Sequence, residues 1–209
     1  MSLKAPKFVE IDPDILTTIH LSETSQLYVI RNFIDENREG DVMKEIDSLP
    51  WGMSLKRRTQ HYGYVYDYST KSCRQGQSMS TSKEINTLSE QISSALGIFI
   101  PSLGKTLFDQ CIVNEYKKGQ GITPHIDAPK FFGSVIVSLS LGNVEPEASE
   151  MTMTFKRDDK IVEVPLKRRS LLILSGEARY KWLHSISPAS NQKQDFRRVS
   201  ITFRQMINP

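Results

Sequence analysis

The chain of 209 residues and 23.8 kDa has the length of one ordinary globular domain. Its 38% hydrophobic and 24% charged residues exclude a disordered chain or a fibrous repeat, and two cysteines exclude a disulfide framework. The net charge of +3 conceals a split: residues 1–50 carry 5 basic and 10 acidic side chains, whereas residues 51–209 carry 22 and 14. The basic surplus of the larger part favours polyanionic partners such as nucleic acid, although a solvated, mildly basic surface explains it equally well.

We expect an intracellular protein. No run approaches the roughly 20 apolar residues of a membrane span, and the N-terminus lacks the apolar stretch of a secretory signal. Cys73 and Cys111 form no Cys-x-x-Cys pair, so both are interpreted as reduced thiols. The sequence therefore predicts a cytoplasmic or nuclear monomer with no membrane association.

The first half of the chain predicts one strand and two helices. Leu27–Ile30 is a short apolar run typical of a strand, and Asp35 is suited to cap a helix that continues to about residue 49. The second helix follows from apolar residues at helical spacing, Ile85, Leu88, Ile92 and Leu96. Ser82 is suited to its N-cap and Gly97 to a left-handed residue at its C-terminal end. We expect residues 1–50 to form an extension that contributes a strand and a helix.

Residues 56–70 combine consecutive basic side chains with aromatic ones. Alternation along an extended strand would place four tyrosines on one face, Tyr62, Tyr64, Tyr66 and Tyr68. This pattern is compatible with a ligand-facing segment. It is equally typical of a tyrosine-rich strand that packs on the core.

From residue 108 onward the pattern changes to short strands separated by turns. The predicted strands are 108–116, 133–141, 151–157, 160–166, 170–175 and 197–206, with Asp158 and Asp159 as a hairpin turn. Six strands after two helices predict an α+β fold. We expect a single domain, 1–209, with a jelly-roll core over 108–206 and the N-terminal helices packed on one side.

A metal site is suggested by His125 and Asp127. They lie two residues apart, so at the end of a strand both side chains point the same way and can share one ion. His184, between two later strands, could complete a facial triad of two histidines and one carboxylate, which binds Fe(II). The alternative is that these are ordinary hydrogen-bonded loop residues.

Two strands carry polar residues on one face. In the last strand these are Arg198, Ser200, Thr202 and Arg204, opposite the apolar Val199, Ile201 and Phe203. An interior strand with two arginines needs an anionic guest, whereas an exposed strand needs none. In strand 108–116, Asn114 and Tyr116 share a face with Ile112 and could hydrogen-bond a carboxylate or keto group, or could be structural.

In this order, Asn114-x-Tyr116, His125-x-Asp127, His184 and Arg198-x5-Arg204 resemble the AlkB family of Fe(II)/2-oxoglutarate dioxygenases over about residues 56–206. The resemblance implies a double-stranded β-helix that uses Fe(II), 2-oxoglutarate and O2. It implies iron ligands at His125, Asp127 and His184. It also implies a 2-oxoglutarate site at Asn114, Tyr116, Arg198 and Arg204.

Longer sequence segments, among them Gly119–Asp127 and Gly176–His184, look most like those of the eukaryotic branch that hydroxylates a tRNA wobble uridine. That branch also carries an RNA-recognition motif and a methyltransferase domain, for which this chain has no room. Relative to the repair enzymes, a basic residue near Arg57 replaces the base-stacking aromatic, and Pro129 replaces an acidic residue. These departures weaken a specific prediction of methyl-adenine or methyl-cytosine repair.

The resemblance therefore predicts an oxidoreductase that demethylates or hydroxylates a modified base in DNA or RNA, presented single-stranded or flipped. Residues 56–70 would be a lid over the substrate. Its substrate-binding residues would be Arg57, Arg58, His61, Tyr64 and Tyr66. One alternative is oxidation of a protein side chain, and another is a binding module without turnover.

Overall fold

The computed structural model describes most of the chain between residues 16 and 207. The described ranges are 16–53, 56–67, 70, 72–104, 106–142, 151–188 and 194–207. The predicted position of Tyr68 and the first 15 residues lie outside them.

The described ranges contain thirteen strands, three α-helices and two short 3-10 helices, Met79–Thr81 and Pro101–Leu103. The strands are β1 Leu16–Ser22, β2 Ser25–Ile30, β3 Thr59–Tyr62, β4 Tyr64–Asp67, β5 Ser72–Gln75, β6 Gln110–Lys117, β7 Ile122–His125, β8 Phe132–Gly142, β9 Thr152–Arg157, β10 Lys160–Pro165, β11 Leu171–Leu174, β12 Leu183–Ile186 and β13 Arg197–Met206. The helices are α1 Glu36–Ser48, α2 Lys83–Phe99 and α3 Gly176–Tyr180. All six strands predicted after residue 108 are present with small differences in their bounds.

Two sheets form the jelly roll. The larger has the order β1-β2-β11-β8-β13-β6-β3, the smaller has the order β10-β9-β12-β7, and β4 and β5 form a separate hairpin. A core cluster joins the sheets, because Leu172 and Leu174 of the larger sheet cluster with Met153, Phe155 and Ile186 of the smaller. The predicted α+β fold with a jelly-roll core is confirmed.

Helices α1 and α2 cover the other face of the larger sheet. Val42 and Ile46 of α1 and Leu88 and Ile92 of α2 are fully buried in one cluster with residues of β6, β8 and β13. Period-two alternation explains the arrangement, since Val199, Ile201 and Phe203 all point to this helical side. The helices therefore lie on one side, as predicted.

The predicted helix starts are correct, but one predicted end is wrong. Asp35 accepts a hydrogen bond from Arg38 N (2.7 Å), and Ser82 Oγ accepts one from Ile85 N (3.1 Å). Gly97 does not end α2, which continues to Phe99 and is capped by Ile100. Phe99 and Ile100 pack on the core, and this burial outweighs the roughly 1 kcal/mol cost of glycine in a helix.

The prediction that the tyrosines share one face is wrong. Gly63 separates β3 from β4 with φ of +75°, and a Cβ there would lie 1.8 Å from the backbone oxygen of Asp109. Only glycine fits this close approach, and it reorients the chain. Tyr62 is consequently buried in the core beneath the helices, whereas Tyr66 packs against Phe132.

The described part of the acidic N-terminal segment is integrated into the fold. Strand β2 pairs with β11, and β1 extends the same sheet as a strand that the sequence analysis missed. Buried Glu39 of α1 accepts hydrogen bonds from Gly142 N (2.9 Å) and Arg168 Nε (2.7 Å). None of the helices in the described ranges is long and apolar enough to cross a membrane.

Candidate active site

Three predicted metal ligands meet between the two sheets. His125 and His184 are cross-strand partners in β7 and β12, and Asp127 follows β7 by two residues. One ligand atom from each of the three lies within 4.8 Å of the others, and the two imidazole centroids are 4.3 Å apart. Strand pairing therefore brings together His125 and His184, which are 59 positions apart in the sequence.

Hydrogen bonding fixes the tautomer of His125. Its Nδ1 lies 2.8 Å from the backbone oxygen of Thr123, and a carbonyl oxygen can only accept, so Nδ1 carries the proton. Nε2 is therefore the ring nitrogen that can offer a lone pair to a metal. Such a bond from the second ring nitrogen to a carbonyl is the usual support of a metal-binding histidine.

Electrostatics favour the metal-binding protonation states of His184 and Asp127 at neutral pH. Burial lowers the pKa of His184 to about 4, although Asp127 opposes this effect. Burial alone would raise the pKa of Asp127, but nearby Arg204 and the two histidines lower it overall. Two imidazoles and one carboxylate are the donor set that Fe(II) takes in a facial triad, so these residues fit the metal.

Asp127 is held by two buried arginines. Arg204 Nη1 donates to Asp127 Oδ1 (2.9 Å), and Arg204 Nε donates to Gln110 Oε1 (2.6 Å). Arg179 Nη1 donates to the backbone oxygen of Asp127 (2.8 Å), and its other nitrogens donate to the oxygens of Phe132 and Gly133 (both 3.3 Å). The carboxylate is therefore fixed in position through both its side chain and its backbone.

Arg198, the other predicted anion-binding arginine, is only 1% exposed. Its Nη2 donates to Ser140 Oγ (2.7 Å), but Nε and Nη1 have no hydrogen-bond partner among the described residues. Burial lowers its pKa to about 10. A buried guanidinium with two unused donors matches a carboxylate guest, so the residues at this end fit 2-oxoglutarate.

The three candidate metal ligands line a pocket that also reaches Tyr116, the neighbour of Arg198. Asn114 and Tyr116 lie on its wall, and Arg198 is the cross-strand partner of Tyr116, with its guanidinium 5.3 Å from the ring centroid. The lining residues are Arg57, Ile112, Asn114, Tyr116, Ile122, His125, Asp127, Ile136, Ser138, Met153, Leu172, Leu174, His184, Ile186, Ser200, Thr202 and Arg204. The pocket thus combines the candidate metal ligands with polar and apolar side chains, and Arg198 lies next to it beside Tyr116.

The five predicted substrate-binding residues occupy different environments. Arg57 lines the pocket, whereas Arg58 is paired with Glu115 outside it. His61 lies opposite Ile112 in the β3–β6 pairing, and burial followed by nearby Arg204 lowers its pKa to about 4. Tyr64 and Tyr66 belong to the β4–β5 hairpin, where Tyr66 packs on two phenylalanine rings, Phe131 and Phe132.

Residues 50–204 match the sequence profile of the 2OG-Fe(II) oxygenase superfamily. The chain belongs to this superfamily. Membership implies Fe(II) and 2-oxoglutarate, and it agrees with the donor set and the buried arginine described above. The family resemblance predicted from the motifs is confirmed.

Curated relatives of the oxygenase include two ALKBH8 proteins. It is 34% identical over 168 residues to tRNA (carboxymethyluridine(34)-5-O)-methyltransferase alkbh8 of Xenopus tropicalis, covering 78% of this chain and 25% of the relative. It is 31% identical over 214 residues to the Alkylated DNA repair protein ALKBH8 homolog of Arabidopsis thaliana, covering 87% and 58%. The chain thus spans a quarter of one relative and somewhat over half of the other.

Solved structures support the fold of the oxygenase. The structure of OsALKBH1 superposes with a TM-score of 0.69 at 17% identity, covering 90% of this chain and 100% of that one. At this identity the likeness concerns the fold alone.

Gln110 and Arg179 support the site, although neither was predicted from the sequence. Gln110 orients Arg204, and Arg179 holds the backbone around Asp127 in this oxygenase. The signal for Gln110 was available, because it shares the period-two face of Asn114. Arg179 lies on the five-residue helix α3, and its partners are backbone oxygens about 50 residues away, which no local pattern indicates.

Proposed function

We propose that this oxygenase oxidises a modified base in nucleic acid, either demethylating or hydroxylating it. One observation carries the proposal: the two-histidine, one-carboxylate cluster and Tyr116 line one pocket, and Tyr116 lies beside buried Arg198, whose Nε and Nη1 have no hydrogen-bond partner among the described residues. This combination suits a metal and a dicarboxylate held side by side. Fe(II), when bound with 2-oxoglutarate and O2, would supply the oxidation of a C–H bond at this site.

The residues of the chain have separate tasks in this proposal. His125, Asp127 and His184 hold the metal, and Arg204 keeps the carboxylate of Asp127 ionised and oriented. Arg198 binds the distal carboxylate of 2-oxoglutarate beside Tyr116. Apolar residues that line the pocket, including Ile122 and Met153, exclude water around the reacting atoms.

Three features support nucleic acid as the substrate. Residues 51–209 carry a surplus of basic side chains, which favours contacts with phosphates. The relatives are named for tRNA uridine modification and for alkylated DNA. The cluster lies between two sheets, so a base would have to leave its stack to reach it. Such a substrate also agrees with an intracellular location.

The test is mass spectrometry of nucleosides after incubation with Fe(II), 2-oxoglutarate, N-methylated DNA and RNA oligomers, and bulk tRNA. Loss of a methyl group would indicate demethylation, and gain of one oxygen on uridine would indicate hydroxylation. His125→Ala, which removes one ligand, is expected to abolish either change. Succinate formation with no change in any nucleoside would overturn the nucleic-acid proposal and direct the search to methylated proteins.

A further inference from the structure

Two adjacent arginines, Arg57 and Arg58, have different partners. Arg58 donates to both oxygens of Glu115 (2.5 and 2.8 Å) and lies 4.4 Å from the ring centroid of Trp51. Arg57 forms no ion pair within the described ranges, and its Nε donates to Asn114 Oδ1 (2.8 Å). Arg58 is therefore engaged in the fold, whereas the charge of Arg57 is not neutralised by a described carboxylate.

Tyr116 lies close to two guanidinium groups. Arg57 is 5.6 Å from the centroid of its ring and Arg198 is 5.3 Å from it. Neither arginine is paired with a carboxylate in the part of the chain that the structure describes. The two guanidinium groups repel each other, and a bound anion would reduce this repulsion. A carboxylate is suited to this role, because it can accept two parallel hydrogen bonds from one guanidinium.

The contact with Arg57 also orients Asn114. Since a guanidinium only donates, the oxygen of the Asn114 side chain must face Arg57, and the amide nitrogen must face away. Asn114 lines the pocket between Tyr116 and the metal-binding triad. It is therefore presented to a ligand as a hydrogen-bond donor, which suits a carboxylate and not a cation.

We infer that Arg57 is a binding residue for the 2-oxo dicarboxylate cosubstrate rather than for the phosphates of the substrate. It lines the pocket beside Tyr116 and holds Asn114 in its donor orientation. Lys56 and Arg58 flank it in sequence, so a cosubstrate bound at Arg57 would restrict protease access to the neighbouring peptide bonds. The inference rests on the proposed function only in requiring that the oxygenase binds 2-oxoglutarate.

The test is calorimetric titration of 2-oxoglutarate into Mn(II)-loaded protein, with wild type, R57Q and K56Q compared. Lys56 is exposed and does not line the pocket, so K56Q is the matched control. We expect R57Q to bind 2-oxoglutarate about tenfold more weakly, the usual cost of a lost charge-assisted hydrogen bond, and K56Q to bind it like wild type. Thermal unfolding confirms that each variant is folded.

Limited trypsin digestion gives a second readout that does not depend on turnover. 2-Oxoglutarate should slow cleavage after Lys56 and Arg58 in wild type but not in R57Q. Equal affinity of R57Q and wild type for 2-oxoglutarate would overturn the inference, and weaker oligonucleotide binding by R57Q in that case would assign Arg57 to phosphate. If wild type itself does not bind 2-oxoglutarate, the proposed function fails as well, so the two failures are distinguishable.

Discussion

The two faces of β13 show how one strand divides stability from function. On the helical side, Val199, Ile201 and Phe203 are fully buried among apolar partners. On the pocket side, Arg198 and Arg204 are equally buried but polar. The side chains of the apolar face find all their packing partners within the folded chain. The hydrogen bonds of the polar face are not all satisfied, because Nε and Nη1 of Arg198 have no partner in the described structure.

The pocket face itself has two different ends. Arg204 is satisfied by Asp127 and Gln110, so the metal end is preorganised by the protein. Arg198 donates to Ser140 Oγ, and its two remaining donors are suited to bind an anion. Burial of the apolar side chains of β13 therefore stabilises the fold. Burial of Arg198 on the other face contributes little to stability, but it leaves donors ready to bind an anion.

The largest effect on stability is expected on the helical face. Phe203→Ala should lower the free energy of unfolding by about 3–5 kcal/mol, because it opens a cavity beside Phe108. Urea unfolding measures this loss. Affinity for 2-oxoglutarate, measured on the folded fraction, should not change. A loss of affinity in the folded variant would break the division between the faces.

The opposite pattern is expected for Arg198→Met. Loss of the buried guanidinium should weaken 2-oxoglutarate binding about a hundredfold, because the distal carboxylate loses a two-pronged partner. The free energy of unfolding without ligand should be unchanged or higher, since no carboxylate within the described ranges is left unpaired. Calorimetry and urea unfolding give the two values. A large loss of stability would contradict the account of the pocket face.

A pH series extends the comparison to His61 on the edge strand β3. Burial and nearby arginines lower its folded pKa to about 4 from an unfolded value of about 6.5. The unfolded state therefore binds more protons between these values, and stability falls as the pH falls from 6.5 to 4. His61→Gln should remove about 2 kcal/mol of this dependence, as measured by urea unfolding at each pH. Identical pH slopes in both proteins would rule out a neutral, desolvated His61.

The smallest effect is expected from neighbouring residues on opposite faces. Ser200 and Ser138 share a hydrogen bond of 2.8 Å on the pocket face, so Ser200→Ala should cost less than about 1 kcal/mol. Val199→Ala on the helical face should cost about 2 kcal/mol. Parallel urea titrations check the order. A larger loss of stability for Ser200→Ala than for Val199→Ala would show that the pocket face contributes more to stability than the helical face.

Features with a short period could be predicted from the sequence. The alternation of β6 and β13 placed Asn114, Tyr116, Arg198 and Arg204 on one face, and the structure has them there. Polar residues ahead of apolar periodic runs located the starts of α1 and α2. These signals depend only on residues close together in the sequence, so they can be recognised before the fold is known.

Features set by distant contacts could not be predicted. Gly63 breaks the tyrosine-rich strand because of the backbone of Asp109, 46 residues later in the chain. The separation of Arg57 from Arg58 depends on where Asn114 and Glu115, neighbours on opposite faces of β6, present their side chains. Adjacent identical residues acquire different partners only when another strand is placed beside them.

The central claim is that the pocket between the sheets holds a metal through His125, Asp127 and His184. Titration of Mn(II), with the free ion followed by electron paramagnetic resonance, tests it most directly. Wild type should bind one ion per chain, and His184→Gln should bind at least about a hundredfold more weakly. His20→Gln, at an exposed position of β1, serves as the control and should bind like wild type. Equal Mn(II) affinity of His184→Gln and wild type would contradict the account.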